Sequence, residues 1–145
     1  MRLEPDEARA RFAAARVLRL ATCGPDGQPH LVPATFALDA AGRIVIGVDH
    51  KPKSTPNLRR LRNITGNPQV SVLADDYDDD WNRLWWARAD GSAAIERDGA
   101  GWDAHWRLLR ARYRQYEGQS LTGPVIAITP GRWSGWAYRP GPVPG

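Results

Sequence analysis

The apolar residues of the chain recur with two different periods, and each period predicts one class of secondary structure. Alternation of apolar and polar positions, the period of a half-buried β-strand, recurs along much of the sequence. It predicts strands at 17–22, 30–38, 43–48, 69–74, 84–97, 124–129 and 132–138. Turn-forming residues separate neighbouring strands, as at Gly24-Pro25-Asp26-Gly27 and Pro130-Gly131. Pro33 inside the second strand favours an edge position or a bulge, because proline cannot donate to a central ladder.

Spacings of three and four residues predict three helices. The clearest helix is 101–116, where large apolar residues form one stripe: Trp102, Trp106, Leu109, Tyr113 and Tyr116. His105 lies off this stripe, so we expect it to face solvent. A second helix is predicted over 4–16 and a third over 56–65, with Ser54 available as its N-terminal cap.

Together these elements predict an α+β fold, a small β-barrel of about six mostly antiparallel strands with peripheral helices. The short, turn-rich connections favour hairpins, and no strand–helix–strand alternation of a parallel sheet is visible. We expect one domain over residues 1–139, followed by a flexible Pro/Gly-rich tail at 140–145.

Composition narrows the class of protein further. A chain of 145 residues with 42% hydrophobic content is long and apolar enough for one packed core. No apolar run approaches the roughly 20 residues of a membrane-spanning helix, and the N-terminal residues lack the apolar stretch of a secretory signal. The single cysteine, Cys23, excludes an internal disulfide, so a cytoplasmic location and no membrane partner are expected.

Charge is distributed unevenly along the chain. The net charge is +4, yet one short segment carries five aspartates: Asp75, Asp76, Asp78, Asp79 and Asp80. Their spacing resembles the start of an EF-hand, but Trp81 stands where that loop needs glycine and Ala87 where it needs glutamate, so no metal site is predicted. The basic residues are scattered and match no nucleic-acid motif, so nucleic acid is not an expected partner.

The segment 50–60, HKPKSTPNLRR, joins a buried strand to the start of a helix and concentrates groups that bind anions. It contains both lysines of the chain, Lys51 and Lys53, next to two hydroxyls and an amide. Backbone N–H groups at a helix start also favour an anion. This composition predicts a phosphate-binding corner, although a solvated basic turn with an ordinary serine cap would have the same composition.

A few other residues are candidates for ligand contact. The chain has seven tryptophans, and the adjacent Trp85 and Trp86 must point to opposite faces of a strand. One of them is expected to fill the core or a dimer interface, while the other could wall a pocket. His30 and His50 could reach a ligand. Cys23 is expected to be a small buried residue rather than a nucleophile, because no His/Asp partnership is readable around it.

Three stretches together resemble a known family: RVLRLATCGPDGQPHLVPATFALD, GRIVIGVDHKPKSTPNLRRLRNITGNPQVSVL and GRWSGWAYRP. They resemble the pyridoxamine-5′-phosphate-oxidase-like split β-barrel superfamily. Within it they are most similar to the actinobacterial oxidoreductases that use the deazaflavin coenzyme F420. The resemblance extends from about Phe12 to Tyr138.

This resemblance implies a homodimer with cofactors in two grooves at the subunit interface, and reduction of an unsaturated or quinone-like small molecule. The cofactor phosphate would be contacted by Lys51, Lys53, Ser54, Thr55 and Asn57. The cofactor ring would be lined by Pro29, His30, Leu31, Val32, Pro33 and Ala34. No catalytic acid or base is assigned, because such a cofactor itself carries the hydride. One extra residue between Lys53 and Asn57 sets this chain apart from its relatives.

Two alternatives share the same fold. The first is an FMN-binding protein, including a true pyridoxamine phosphate oxidase; such an oxidase carries more Arg and His residues near its C-terminus, where this chain offers only Arg132. The second is a non-catalytic binder of a cofactor or a haem-type group. Turnover with a reductant would separate that binder from the enzymes.

Overall fold

The structure is a computed structural model that describes residues 1–48 and 58–139. One curled antiparallel sheet of seven strands, in the order β2-β1-β5-β6-β7-β4-β3, organises these residues. The strands are β1 Leu18–Cys23, β2 Pro29–Ala34, β3 Ala37–Leu38, β4 Ile44–Gly47, β5 Gln69–Asp76, β6 Trp85–Glu96 and β7 Val125–Ala137. The α+β half-barrel predicted from the sequence is therefore confirmed, with seven strands rather than about six.

Three α-helices accompany the sheet in the described part of the chain: α1 Pro5–Ala14, α2 Arg59–Gly66 and α3 Gly99–Arg112. Pro5 and two acidic residues in the first turn favour the start of α1. The third helix ends earlier than predicted and is followed by a short 3-10 turn, Arg114–Tyr116. None of the helices in these residues is long and apolar enough to cross a membrane.

Two hydrophobic clusters lie on opposite faces of the sheet. On the concave face, Phe12 of α1 packs on strand residues such as Leu20 and Ile128. On the convex face, α3 covers β4 and the first half of β7, with Trp106 and Leu109 against Val45 and Ala127. The predicted aromatic stripe of α3 is thus confirmed as the covering surface of this half of the sheet.

Close packing of α3 requires a glycine in β4. A Cβ atom added to Gly47 would lie 2.4 Å from the indole of Trp106, far inside van der Waals contact. The helix can therefore approach the end of β4 closely only because residue 47 has no side chain.

Two strand predictions were wrong, and proline and glycine explain both. The segment 30–38 forms two strands, β2 and β3, rather than one. The two predicted strands around Pro130-Gly131 form the single strand β7, in which this pair is a bulge opposite Asp90 and Gly91. A Cβ at Gly91 would lie 2.3 Å from the Thr129 carbonyl oxygen, so the sharp bend depends on that glycine.

The prediction that His105 faces solvent was also wrong. Its side chain is 4% exposed and lies between two carboxylates, with Nδ1 2.5 Å from Glu96 Oε1 and Nε2 2.9 Å from Asp39 Oδ2. Helical spacing placed it off the stripe correctly. The partners come from the β3–β4 turn and the end of β6, which the helix pattern alone does not reveal.

Helix α2 starts later than predicted. Leu58 occupies its N-cap position, so Ser54 is not the cap of this helix. Its buried residues are Leu61, Asn63 and Ile64, and Asn63 Nδ2 donates to Thr22 Oγ1 at 3.0 Å. This contact fixes α2 over the end of β1, between the turn and the concave face.

Candidate cofactor site

The edge strand β2 offers an unpaired backbone edge. In the described residues β2 pairs with β1 alone, with Pro33 opposite Arg19 and Pro29 opposite Cys23. Prolines in a strand direct their nitrogen away from the neighbouring strand, because they have no N–H for the ladder. Leu31 shares their parity, so its N–H and C=O also point to the free edge. Leu31 therefore supplies the one donor of this edge, flanked by carbonyl acceptors.

Alternate side chains of β2 point to opposite faces. Leu31 is 68% exposed on the convex face, and Pro29 and Pro33 are exposed as well. Val32 and Ala34 instead pack against the inner core. Of the six residues predicted to line the ring, the structure leaves the side chains of three open and turns the other three inward.

His30 is one of the inward residues, and its position is unusual. It lies opposite Thr22 in the strand register, beside the Thr22–Asn63 hydrogen bond. Its Nδ1 atom is buried and has no hydrogen-bond partner in the described part of the structure. A buried, unpartnered nitrogen is costly, so this atom is a point where a ligand or an ordered water would be accommodated.

The predicted phosphate corner lies outside the described residues, and so do Lys51, Lys53, Ser54, Thr55, Asn57 and His50. What is described is the start of α2, where two arginines behave differently. Arg59 is exposed and pairs with Asp26, with Nη2 3.2 Å from Oδ2. Arg60 is half-buried, and its Nε is buried with no hydrogen-bond partner among the described residues.

Arg60 is thus a candidate anion contact that the sequence reasoning passed over. Burial lowers the pKa of its guanidinium, because a charged group is poorly solvated there. Helical spacing indicates this inward position, because Arg60 precedes the buried Asn63 and Ile64 by three and four residues and therefore lies on the same face of α2.

A cavity of about 900 Å³ lies on the convex face of β6 and β7. The strand register places Trp86 opposite Trp136 and Arg88 opposite Ser134 on its floor, and the N-terminal residues Arg2–Pro5 form one side. Trp85 points the other way and is 4% exposed in the core. The prediction that the two adjacent tryptophans face opposite sides is therefore confirmed, with Trp86 facing the cavity.

Comparison with known proteins identifies the family. The sequence model of a family described as Pyridoxamine 5'-phosphate oxidase matches residues 4–137. The chain belongs to this family. The superfamily resemblance seen in the sequence is therefore confirmed at that level. No curated protein sequence matches the chain.

Comparison with solved structures adds three similar proteins. A FAD-binding protein from Mesorhizobium loti is similar over 93% of this chain and 95% of its own, with 26% identity and a TM-score of 0.69. A conserved hypothetical protein from Mycobacterium tuberculosis is similar over 94% and 86%, with 25% identity and a TM-score of 0.71. The heme storage protein HutZ from Vibrio cholerae shares the fold over 94% and 95%, with 24% identity and a TM-score of 0.70.

Within this family fold, Cys23 differs from the prediction. It is half-exposed rather than buried, because it lies on the convex face of β1 with Arg19 and Ala21. In the acidic segment, Asp75 and Asp76 end β5, and Arg83 lies 3.9 Å from both Asp76 and Asp78. The described residues contain no group of three or more His, Cys, Asp or Glu arranged to hold a metal ion.

Proposed function

We propose that the protein is an oxidoreductase that binds coenzyme F420 and uses its reduced form to transfer hydride to an unsaturated or quinone-like small molecule. The observation that carries this proposal is the free edge of β2, with one N–H donor at Leu31 between two prolines. FMN is the alternative cofactor, since its ring has the same shape and also carries a phosphate on a side chain.

The β2 edge suits a flavin-like ring. The pyrimidine edge of both flavin and deazaflavin carries an N–H between two carbonyl oxygens, so the Leu31 N–H can donate to one of these oxygens while a neighbouring carbonyl of β2 accepts from the ring N–H. The prolines keep this edge from pairing with another strand, which leaves it free for a ligand. When bound, such a cofactor supplies the hydride chemistry, and the protein binds and orients it.

The phosphate end of the cofactor is proposed to lie at the start of α2. Lys51, Lys53, Ser54, Thr55 and Asn57 precede this helix in the sequence and carry the charge and hydrogen-bonding groups that a phosphate needs. Arg60 adds a guanidinium that has no ion-pair partner among the described residues. An anion beside Arg60 would satisfy it and offset the cost of its burial.

We further propose a homodimer that holds the cofactor between its subunits. In the described residues α1 fills the concave face and α3 covers one half of the convex face. The other half, over β1, β5 and β6, has no covering element among the described residues and includes Leu31 and Leu73. A second copy would bury this apolar area and bring its own residues to the cofactor.

The experiment that tests the function is a pair of titrations of the purified protein, one with F420 and one with FMN, followed by tryptophan fluorescence. Tight binding of F420 and weak binding of FMN, followed by turnover of reduced F420 with a quinone, is the expected result. Tight FMN binding instead would assign the protein to the flavin branch. Binding of either cofactor without turnover on any acceptor, or binding of haem alone, would indicate a non-catalytic binder.

A further inference from the structure

The convex-face cavity has a chemistry that neither the edge strand nor the phosphate corner uses. Two cross-strand pairs form its floor, Trp86 with Trp136 and Arg88 with Ser134. Opposed residues of an antiparallel pair have Cβ atoms about 4.5–5.5 Å apart, so two indoles, a guanidinium and a hydroxyl share one small area. Indoles bind flat apolar groups, and guanidinium binds anions.

Two polar atoms of this floor lack hydrogen-bond partners within residues 1–48 and 58–139. Arg88 Nε and Ser134 Oγ are both buried, and neither has a partner among the described residues. Arg88 is not without interactions: its Nε lies 3.4 Å from Asp90 Oδ2, and its guanidinium lies 5.7 Å from the centre of the Trp86 ring. Asp90 in turn accepts a 2.6 Å hydrogen bond from Ser71. These contacts hold the Arg88 side chain in place, while its Nε–H donates no hydrogen bond to a described residue.

The charge around the cavity favours an anion. Its lining includes three arginines, Arg2, Arg88 and Arg132, against one carboxylate, Glu4. Asp90 adds a second carboxylate beside Arg88, and the cations still outnumber the acids. A volume of about 900 Å³ is that of a small-molecule site rather than a packing defect.

We propose that this cavity binds a planar, conjugated anion such as an aromatic carboxylate. The conjugated body lies against Trp86 and Trp136, while its oxygens accept from Arg88 and from the Ser134 hydroxyl. The cavity lies on β6 and β7, whereas the proposed cofactor edge is on β2, with β1 and β5 between them, so this is a second ligand site that goes beyond the proposed function.

Binding of a redox-inert probe tests the proposal without catalysis. Calorimetry of the full chain with 2-naphthoate and with the neutral 2-naphthamide compares the same ring with and without the charge. We expect 2-naphthoate to bind at least about ten-fold more tightly, the range for a lost hydrogen bond to a charged group. Equal affinity of the two probes would overturn the proposal.

Variants locate the site. Arg88→Gln is expected to abolish the preference for 2-naphthoate, whereas Arg83→Gln, in the acidic segment, should leave it unchanged. If Arg88→Gln does not fold, as judged by circular dichroism, Ser134→Ala serves instead and should weaken 2-naphthoate more than 2-naphthamide. An unchanged preference in the folded variant that is used would contradict the assignment.

A last titration distinguishes a ligand of this cavity from the cofactor, because FMN is itself a planar anion. The 2-naphthoate titration is repeated with saturating F420 or FMN, whichever binds. Undiminished affinity of 2-naphthoate supports a separate ligand site, and displacement of 2-naphthoate by the cofactor would overturn the proposal. Cofactor binding with no probe binding would defeat the cavity proposal alone, whereas probe binding with no cofactor binding would defeat the proposed function alone.

Discussion

Leu31 contributes to the site through its backbone rather than its side chain. Replacement by proline removes the N–H from the free edge of β2 without breaking the ladder with β1, because that N–H points away from β1. We expect Leu31→Pro to weaken cofactor binding about two- to ten-fold, which corresponds to one neutral hydrogen bond. Fluorescence titration measures the loss. Leu31→Ala, which keeps the N–H, is the control; an equal loss in both variants would show that the side chain is what matters.

Among the residues of α2, Arg60 is the one whose replacement we expect to weaken cofactor binding. Arg60→Gln removes a half-buried guanidinium, and we expect cofactor affinity to fall about ten- to hundred-fold, the range for a charged hydrogen bond. Arg62→Gln alters an exposed arginine of the same helix and should have little effect. Calorimetry with the cofactor that binds distinguishes the two. Similar losses for both variants would mean that overall positive charge, and not Arg60, holds the anion.

The residue types of the site could be predicted from the sequence better than their directions. Pro33 indicated an edge strand or a bulge, and the edge is where the structure places β2. By contrast, Arg59 and Arg60 are adjacent in the sequence, yet Arg59 is exposed and Arg60 is half-buried, and that difference depends on where α2 begins. His105 was misplaced for a related reason: its burial comes from Asp39 and Glu96, which are distant in the sequence.

At the scale of elements, one cluster joins the β3–β4 turn, the end of β6 and α3. Asp39 accepts from His105 Nε2 at 2.9 Å and from Arg43 Nε at 2.8 Å, and its side chain is 11% exposed. Burial acts to raise the pKa of Asp39, but hydrogen bonds from His105 and Arg43 outweigh it, so the pKa is lowered. Ionised Asp39 therefore stabilises the folded state.

The sign of the pH dependence follows from that lowered pKa. Folding stability from Asp39 is fully present above its unfolded pKa of about 3.9 and is lost as the pH falls through the folded value. We expect Asp39→Asn to destabilise the protein by about 1–3 kcal/mol at pH 7, with a smaller difference from wild type at pH 3. Urea unfolding at the two pH values measures this. Asp26→Asn, at an exposed ion pair, should cost much less; a pH-independent penalty for Asp39→Asn would contradict the account.

Element boundaries were least predictable where a strand bends. The turn signal Pro130-Gly131 was read correctly as a break in the alternation, yet it produces a bulge because β6 bends at Gly91 opposite it. A tight turn and a bulge use the same residues, and only the partner strand distinguishes them. The apolar stripe from Trp102 to Tyr116 needed no such partner to be recognised, although its last residues follow α3, and Tyr116 lies in the 3-10 turn Arg114–Tyr116 rather than continuing the helix.

At the scale of the whole molecule, hairpin connections predicted an antiparallel barrel, but the order of strands depends on long-range pairing. β1 lies between β2 and β5, and β4 pairs with β7, which is far away in the sequence. No local pattern specifies those neighbours. The alternation of apolar and polar residues does specify which face of each strand is apolar. Combined with the observed strand order, it shows which apolar side chains lie on the uncovered half of the convex face.

The uncovered half of the convex face is the basis of a prediction about the oligomeric state. We expect sedimentation to show a dimer at micromolar concentration, with Leu73 at the contact. Leu73→Glu should give a folded monomer, because its register neighbours Arg19 and Arg88 stabilise the new carboxylate in one copy, while burial between two copies penalises it. Cofactor affinity should fall with the dimer. Tyr77→Glu, at a residue 75% exposed, is the control and should remain dimeric. A wild-type protein that sediments as a monomer at every concentration would contradict both the dimer and a cofactor site shared between subunits.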